Sequence, residues 1–376
     1  MKFSEIPGHE SIKERMRAMV NGDHLPHAIL LEGPEGIGKL AMARAFAQYI
    51  HCENRDENGD ACGECRSCRM HRSMNHVDTH YSFPVVKLDG MNSAPVSDDF
   101  FTEWTEFCNG RIYSDIAAWT DTFNKRNAQP VIYVTESEEL VKKLAFTSHV
   151  SKQKIVIMWL PERLNEQAAN KLLKLIEEPY DDTVFILVSN NSAEILPTIY
   201  SRVQRLTLKR LPDRIVADNL MKRGGLSDAD AMAIAHNASG NMIAAIEALE
   251  TDDDIKTYFD AFVKLMRLAY MRDVAKLRVW ADDLAALGRE KEIDFYDYAS
   301  RMIRENFVMN FNIPSLCYLS RTEHDFATRF SRFITVKNVE KIIEVFTLAR
   351  RDISGNGNGK IVNFDVAIKT ILLLKQ

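Results

Sequence analysis

An α/β P-loop core with a cysteine-rich insert, followed by a small helical module and an all-helical C-terminal domain, is the fold class the sequence predicts. Three observations predict it. The loop Gly33-Pro34-Glu35-Gly36-Ile37-Gly38-Lys39-Leu40 joins a short apolar run to a helix-forming segment. Four cysteines crowd between positions 52 and 68. Beyond Leu211-Pro212 the apolar residues recur at helical spacing to the end of the chain.

The first strand is expected at His27-Ala28-Ile29-Leu30-Leu31-Glu32, an apolar run ending at Gly33, and the first core helix at Leu40 to Ile50, rich in helix formers. Between them the spacing fits G-x-x-x-x-G-K-[ST], in which backbone N–H groups and the helix dipole hold phosphate and the lysine adds a cation. Gly33, Gly36, Gly38 and Lys39 are therefore candidate binding residues for ATP or ADP; the blander reading is an ordinary glycine turn. Leu40 stands where the motif carries a hydroxyl, and an aliphatic side chain cannot ligate Mg²⁺. The next strand is expected at Lys154 to Met158. Where adjacent acids would position metal and water, the sequence has Trp159 and Leu160. Glu162, past Pro161, reads as a solvated residue at the start of a helix.

Cys52, Cys62, Cys65 and Cys68 follow C-x9-C-x2-C-x2-C, with Gly59 and Gly63 easing the turns. Four thiolates so spaced can close around one tetrahedral Zn²⁺ and leave no position for water, which makes the role structural. Unmetallated thiols or another thiophilic metal are the alternatives. His71, His76 and His80 lie nearby but are not needed as ligands, and Cys108 and Cys317 read as ordinary buried cysteines.

Leu164 to Glu178 has a clear helical period ended by Pro179, and Thr183 to Ser189 reads as a buried strand followed by Asn190 and Asn191, which are either phosphate sensors or turn residues. Ser201-Arg202 follows Leu196-Pro197-Thr198-Ile199-Tyr200. Arg202 is either a surface ion-pair residue or an arginine that crosses a subunit boundary. Between 85 and 130, Trp104, Phe107, Tyr113 and Trp119 are expected in helices packed on the core rather than in a subunit contact. Val131 to Val134 has a strand pattern and Glu136 to Leu144 a helical one. Gly224-Gly225 and Gly240 break the helices after 213, Asn312-Ile313-Pro314 and Gly355 to Gly359 mark turns, and a last helix is expected at Val362 to Leu374.

The 376 residues leave room for two or three domains, and 46% hydrophobic with 27% charged residues is ordinary for a soluble protein. A net charge of -5 gives no chain-wide electrostatic footprint for nucleic acid. With no signal-peptide pattern and no apolar run of about 18–20 residues, a cytoplasmic location away from membranes is expected. No reductase, transferase or polymerase site is visible.

Together these landmarks resemble the delta-prime family of bacterial replicative clamp-loader subunits, within the AAA+ superfamily. The resemblance is carried by Leu25-Pro26-His27-Ala28, the loop from Gly33 to Lys39, the four-cysteine insert, Asn75-His76-Val77-Asp78 with Phe83-Pro84, Ala169-Asn170-Lys171-Leu172-Leu173-Lys174 with Glu177-Glu178-Pro179, and Ser201-Arg202. It covers roughly residues 1–210 strongly and the remainder weakly. It implies an AAA+ core over 1–210 with the zinc module at 52–68, a helical lid over 211–253 and a helical collar domain over 254–376. It further implies that Arg202, with Ser201, is an arginine finger supplied in trans, although Val203 departs from the family's Ser-Arg-Cys signature. Asn190 matches the first sensor, and Ile243 in Gly240-Asn241-Met242-Ile243 replaces the second sensor's arginine. The implied partners are delta and gamma/tau subunits, and through the complex the sliding clamp and primer–template DNA. The implied function is that of a non-hydrolysing subunit; a weak ATPase or a zinc-stabilised scaffold without nucleotide function are the alternatives.

Overall fold

A computed structural model describes the chain except residues 23, 57–58, 89, 124–128, 225, 251, 312, 314–315 and 375–376. The expected breaker Gly225 and the expected turn residues Asn312 and Pro314 lie outside the described residues. The chain divides into two compact units: Met1–Asn219 with Ala238–Ala244, and Leu220–Asn237 with Ala245–Gln376.

The first unit contains α1 (Glu10–Asn21), β1 (Ala28–Glu32), α2 (Lys39–His51), α3 (Arg66–Arg72), β2 (Thr79–Ser82), α4 (Phe101–Cys108), α5 (Ile116–Asp121), α6 (Val134–Leu144), β3 (Lys154–Trp159), α7 (Glu166–Glu177), β4 (Thr183–Ser189), α8 (Pro197–Tyr200) and β5 (Gln204–Thr207). The strands form one parallel sheet in the order β2-β3-β4-β1-β5. Every residue of β3 and β4 is buried, because central parallel strands are covered on both faces and read as unbroken apolar runs. The edge strand β5 exposes Gln204, Arg205 and Thr207 and buries only Leu206, the polar composition that keeps an edge from pairing further. Register places Ile29 beside Ile186 and Val156 beside Phe185. The carboxyl ends of β1, β3 and β4 thus come together beside the loop that leads into α2.

Helix α2 is buried along its whole length. Its polar residues are consequently paired: Arg44 Nη1 donates to Cys108 O at 2.9 Å, and Gln48 Oε1 accepts from the Met1 amine at 3.0 Å. Helix α7 begins two residues later than the periodicity predicts. Asn165 caps it, its Oδ1 accepting from Ala168 N–H at 2.8 Å, and Leu164 stays outside. The strand pattern at 131–134 yields only isolated bridges, Val85 with Val131 and Ile132 with Leu164, and Val134 already opens α6. Trp104, Phe107 and Trp119 are buried in core-packed helices as expected, whereas Tyr113 is buried but lies in the bend between α4 and α5 rather than in a helix.

Helices α9 (Asp213–Gly224), α10 (Asp228–Asn237) and α11 (Met242–Glu250) follow, then α12 (Asp252–Met271), α13 (Val274–Ala285), α14 (Arg289–Met309), α15 (Arg321–Phe330), α16 (Val339–Ser354) and α17 (Gly359–Leu373). The second unit is helical among its described residues, around a core that includes Phe262, Trp280, Phe295, Tyr296 and Phe346. No described helix is long and apolar enough to cross a membrane.

Candidate functional site

The phosphate loop forms where the sequence places it, between β1 and α2. Gly38 caps α2 at φ 87°, and Gly36 stands at φ 75°; L side chains rarely adopt either conformation. Gly36 also needs its missing side chain for space, since a Cβ there would lie 1.7 Å from Asn241 Oδ1. The segment Gly240–Ile243 closes over the loop, Met242 N–H donating to Gly36 O at 2.9 Å.

Lys39 does not reach into open space. It is 4% exposed, and its ammonium donates to Pro34 O of its own loop. Burial pushes it down to about 8 against the pull of the Glu35 and Glu162 carboxylates. Burial and the neighbouring Asp115 raise Glu35, whose Oε1 accepts from Asn190 Nδ2 at 3.1 Å. Glu162 is not the solvated helix-start residue the sequence suggests. It is half-buried in a 3-10 turn, and its Oε1 accepts from the Asn190 and Asn191 amides at 2.8 and 3.2 Å. The backbone N–H groups just past the carboxyl end of β4 are thereby satisfied by a carboxylate of this chain.

The position of the missing acids is filled by aromatic packing. Trp159 is 2% exposed, with ring centroids 5.3 Å from Trp104 and 6.0 Å from Phe107. Between the loop and the β3 and β4 ends lies a cavity of about 10 Å³ lined by Lys39, Leu40, Trp159 and Asn190 among others, space for roughly one water. These residues do not fit a magnesium nucleotide. Leu40 offers no oxygen, the Glu35 and Glu162 carboxylates lie near enough to Lys39 to act on its charge, and the lysine is already engaged. Sequence reading finds the lost hydroxyl and acids but misses Glu35 and misreads Glu162 as solvated, because neither carboxylate belongs to a motif and both meet Asn190 only in the fold.

Arg202 sits in the turn after α8, with its side chain 42% exposed. Its Nε lies 2.7 Å from Glu177 Oε1 at the end of α7. Its Nη1 donates to Thr198 O at 2.9 Å and to Ser201 Oγ at 3.3 Å. The guanidinium is thus held at the surface by the end of α7 and by its own turn.

The four cysteines converge. Cys52 follows the last residue of α2, Cys65 caps α3 and Cys68 lies in its first turn. Cys52 Sγ is 3.7 Å and Cys68 Sγ 3.9 Å from Cys62 Sγ, and no disulfide forms. Zinc–sulfur bonds of about 2.3 Å in a tetrahedron set sulfurs roughly 3.8 Å apart. At Cys62 burial pushes the thiol up, but the Glu64 and Cys65 amides outweigh it and hold it at about 7, whereas burial raises Cys52 and Cys68. By the convergence of its four sulfurs the cluster is able to hold a metal ion.

A second group was not anticipated as such. His51, His71 and His76 are all buried and each places a ring nitrogen within 4.8 Å of the others, an arrangement that is also able to hold a metal ion. His80 is half-buried outside this group.

The family described as DNA polymerase III, delta subunit, matches residues 8–212. The DNA polymerase III subunit delta' of Bacillus subtilis (strain 168) is 28% identical over 253 residues, 67% of this chain and 62% of that relative. Its counterpart in Pseudomonas aeruginosa is 31% identical over 176 residues, 47% of this chain and 41% of that one. The chain therefore spans less than two thirds of either relative's length. A solved DNA polymerase III gamma subunit-related protein from Thermotoga maritima is 14% identical, covering 96% of this chain and 99% of its own, at a TM-score of 0.36, too low to carry weight. The family match takes in the phosphate loop, the cysteine insert and Ser201-Arg202 together, and on it this chain belongs to the delta and delta-prime family of DNA polymerase III clamp-loader subunits.

Proposed function

We propose that the chain is a non-hydrolysing delta-prime-type subunit of a replicative clamp loader, which assembles with delta and gamma/tau subunits and presents Arg202 to ATP bound by a neighbour. One observation carries this reading: the chain's own nucleotide site is closed by its own groups, while Arg202 stands exposed in a weak pair. Surface ion pairs of this kind are worth about 0–1 kcal/mol, so Glu177 would release the guanidinium readily to a phosphate. A planar, permanently charged donor fork suits the charge that develops on a transferring phosphoryl group. The reading makes the Cys52, Cys62, Cys65 and Cys68 site a structural zinc site. The sliding clamp and primer–template DNA enter through the assembled complex.

The test is reconstitution with delta and gamma/tau subunits. Arg202→Ala should leave the complex intact while lowering its DNA-stimulated ATP hydrolysis by about tenfold or more at the adjacent site. Arg202→Lys should not restore it, because an ammonium lacks the fork. Unchanged hydrolysis in an intact Arg202→Ala complex would remove the trans role. Hydrolysis by the isolated chain, abolished by Lys39→Ala, would instead reinstate an ATPase.

A further inference from the structure

The geometry points to a second, independent metal site, in which His51, His71 and His76 bind one divalent cation of the imidazole-preferring class, beside the four-cysteine site and separate from it. The three rings come from three elements: the last residue of α2, the last turn of α3, and the segment leading into β2. They are 4–5% exposed, and their ring centroids are 4.3, 4.6 and 5.1 Å apart.

The hydrogen bonds fix which nitrogens are available. His51 Nε2 lies 2.9 Å from Gln153 O. A carbonyl only accepts, so Nε2 carries the proton and Nδ1 presents a lone pair. That lone pair lies 3.0 Å from His71 Nε2, which donates to it. Zinc–nitrogen bonds of about 2.0–2.1 Å place tetrahedral ligand nitrogens roughly 3.3–3.4 Å apart, so this pair needs to open by a few tenths of an ångström and its rings to turn until both lone pairs meet at one point. An ion takes the place of the shared proton, which moves to His71 Nδ1. The His51-to-Gln153 contact is the outer hydrogen bond that orients a metal-bound imidazole. His76 has the most to adjust. Its Nδ1 accepts from Asp78 N–H at 3.2 Å and its Nε2 lies 3.3 Å from Ser151 Oγ, so an ion replaces one of these two long contacts.

Charge also favours a cation. Three uncharged imidazoles bring no positive charge of their own, and Asp78 supplies a nearby carboxylate. The amides of His149, Val150 and Ser151 hold that carboxylate at 2.6–2.8 Å. Soft thiolates and neutral imidazoles both suit Zn²⁺, whereas Mg²⁺ and Ca²⁺ prefer oxygen. A bound ion would tie the end of α2 to α3 and to the approach to β2, a structural role.

The full-length chain, loaded with Zn²⁺ and dialysed against metal-free buffer, decides this by elemental analysis together with zinc X-ray absorption. The expected result is two ions per chain with mixed sulfur and nitrogen neighbours. His71→Gln should retain one ion with sulfur neighbours only; that sulfur shell also reports that the insert has folded. If His71→Gln does not fold, His76→Gln provides the same readout. One ion with a sulfur-only shell in the wild type, or two ions retained in folded His71→Gln, overturns the second site. One ion with nitrogen neighbours only would sustain it and remove the four-cysteine assignment instead.

Discussion

Lys39 keeps the position of a phosphate-binding lysine in surroundings that no longer welcome its charge. Burial holds its ammonium at about 8, against about 10.4 in an unfolded chain. Below pH 8 both states are charged and the burial penalty is present in full. Between pH 8 and about 10.4 the unfolded chain still holds a proton that the folded chain has lost, so stability rises with pH across that window. The shift corresponds to a term on the order of 3 kcal/mol. Lys39→Met keeps the packed stem and cannot titrate. The wild type should therefore gain roughly 2–3 kcal/mol relative to Lys39→Met between pH 7.5 and 10.5 in urea unfolding. A constant difference across that range would mean that Lys39 is solvated. At this scale the sequence is most informative about what is missing. Leu40 and Trp159 announce lost chemistry by their type at motif positions, and Ile243 does so only through the family resemblance. Glu35, Glu162 and the histidine trio do not, because their meaning depends on long-range neighbours such as Asn190 and Gln153.

At the scale of elements, β1, β3 and β4 are legible because burial on both faces leaves continuous apolar runs. β2, Thr79-His80-Tyr81-Ser82, and β5 are not, because each lies at a sheet edge, is only four residues long and carries polar residues. The 131–134 pattern misleads for a related reason: β-branched Val131, Ile132 and Val134 suit a strand, but only single bridges are available to them. The contact between the phosphate loop and the start of α11 is equally invisible in sequence, since Gly36 reads as a phosphate-loop glycine whether or not Asn241 covers it. Gly36→Ala tests that contact. The new methyl meets Asn241 Oδ1 and forces an L residue to φ 75°. The left-handed backbone alone costs about 1–2 kcal/mol, and displacing α11 adds to it. Thermal unfolding should show the loss, and hydrogen exchange should rise at Met242, whose N–H bonds Gly36 O. Unaltered protection at Met242 would mean that the loop and α11 are not coupled.

Across the whole molecule, α2 joins the two ends of the story within the first unit. Its N-terminus holds the closed phosphate loop, and its C-terminus delivers His51 and Cys52 to the two histidine and cysteine clusters. Sulfurs 3.7–3.9 Å apart at that end are at the spacing a tetrahedral zinc requires, and without an ion four thiols share a space sized for one cation. Binding energy at such a site is folding energy, because the unfolded chain has no preformed ligand set. On the proposed zinc site, chelation should therefore destabilise the first unit, with its melting temperature falling by about 2–4 °C for each kcal/mol lost. The second unit has its own helical core and contributes no residue to either cluster, so its helical signal should melt as before. Arg202→Ala is the matched control: its exposed pair with Glu177 is worth about 0–1 kcal/mol, so the melting of both units should stay where it is. Chelation verified by elemental analysis, yet leaving the first transition unmoved, would mean that the cysteines fold the insert as packed thiols and that metal is incidental to it. A fall confined to the first transition, reversed by adding Zn²⁺ back, is the expected outcome.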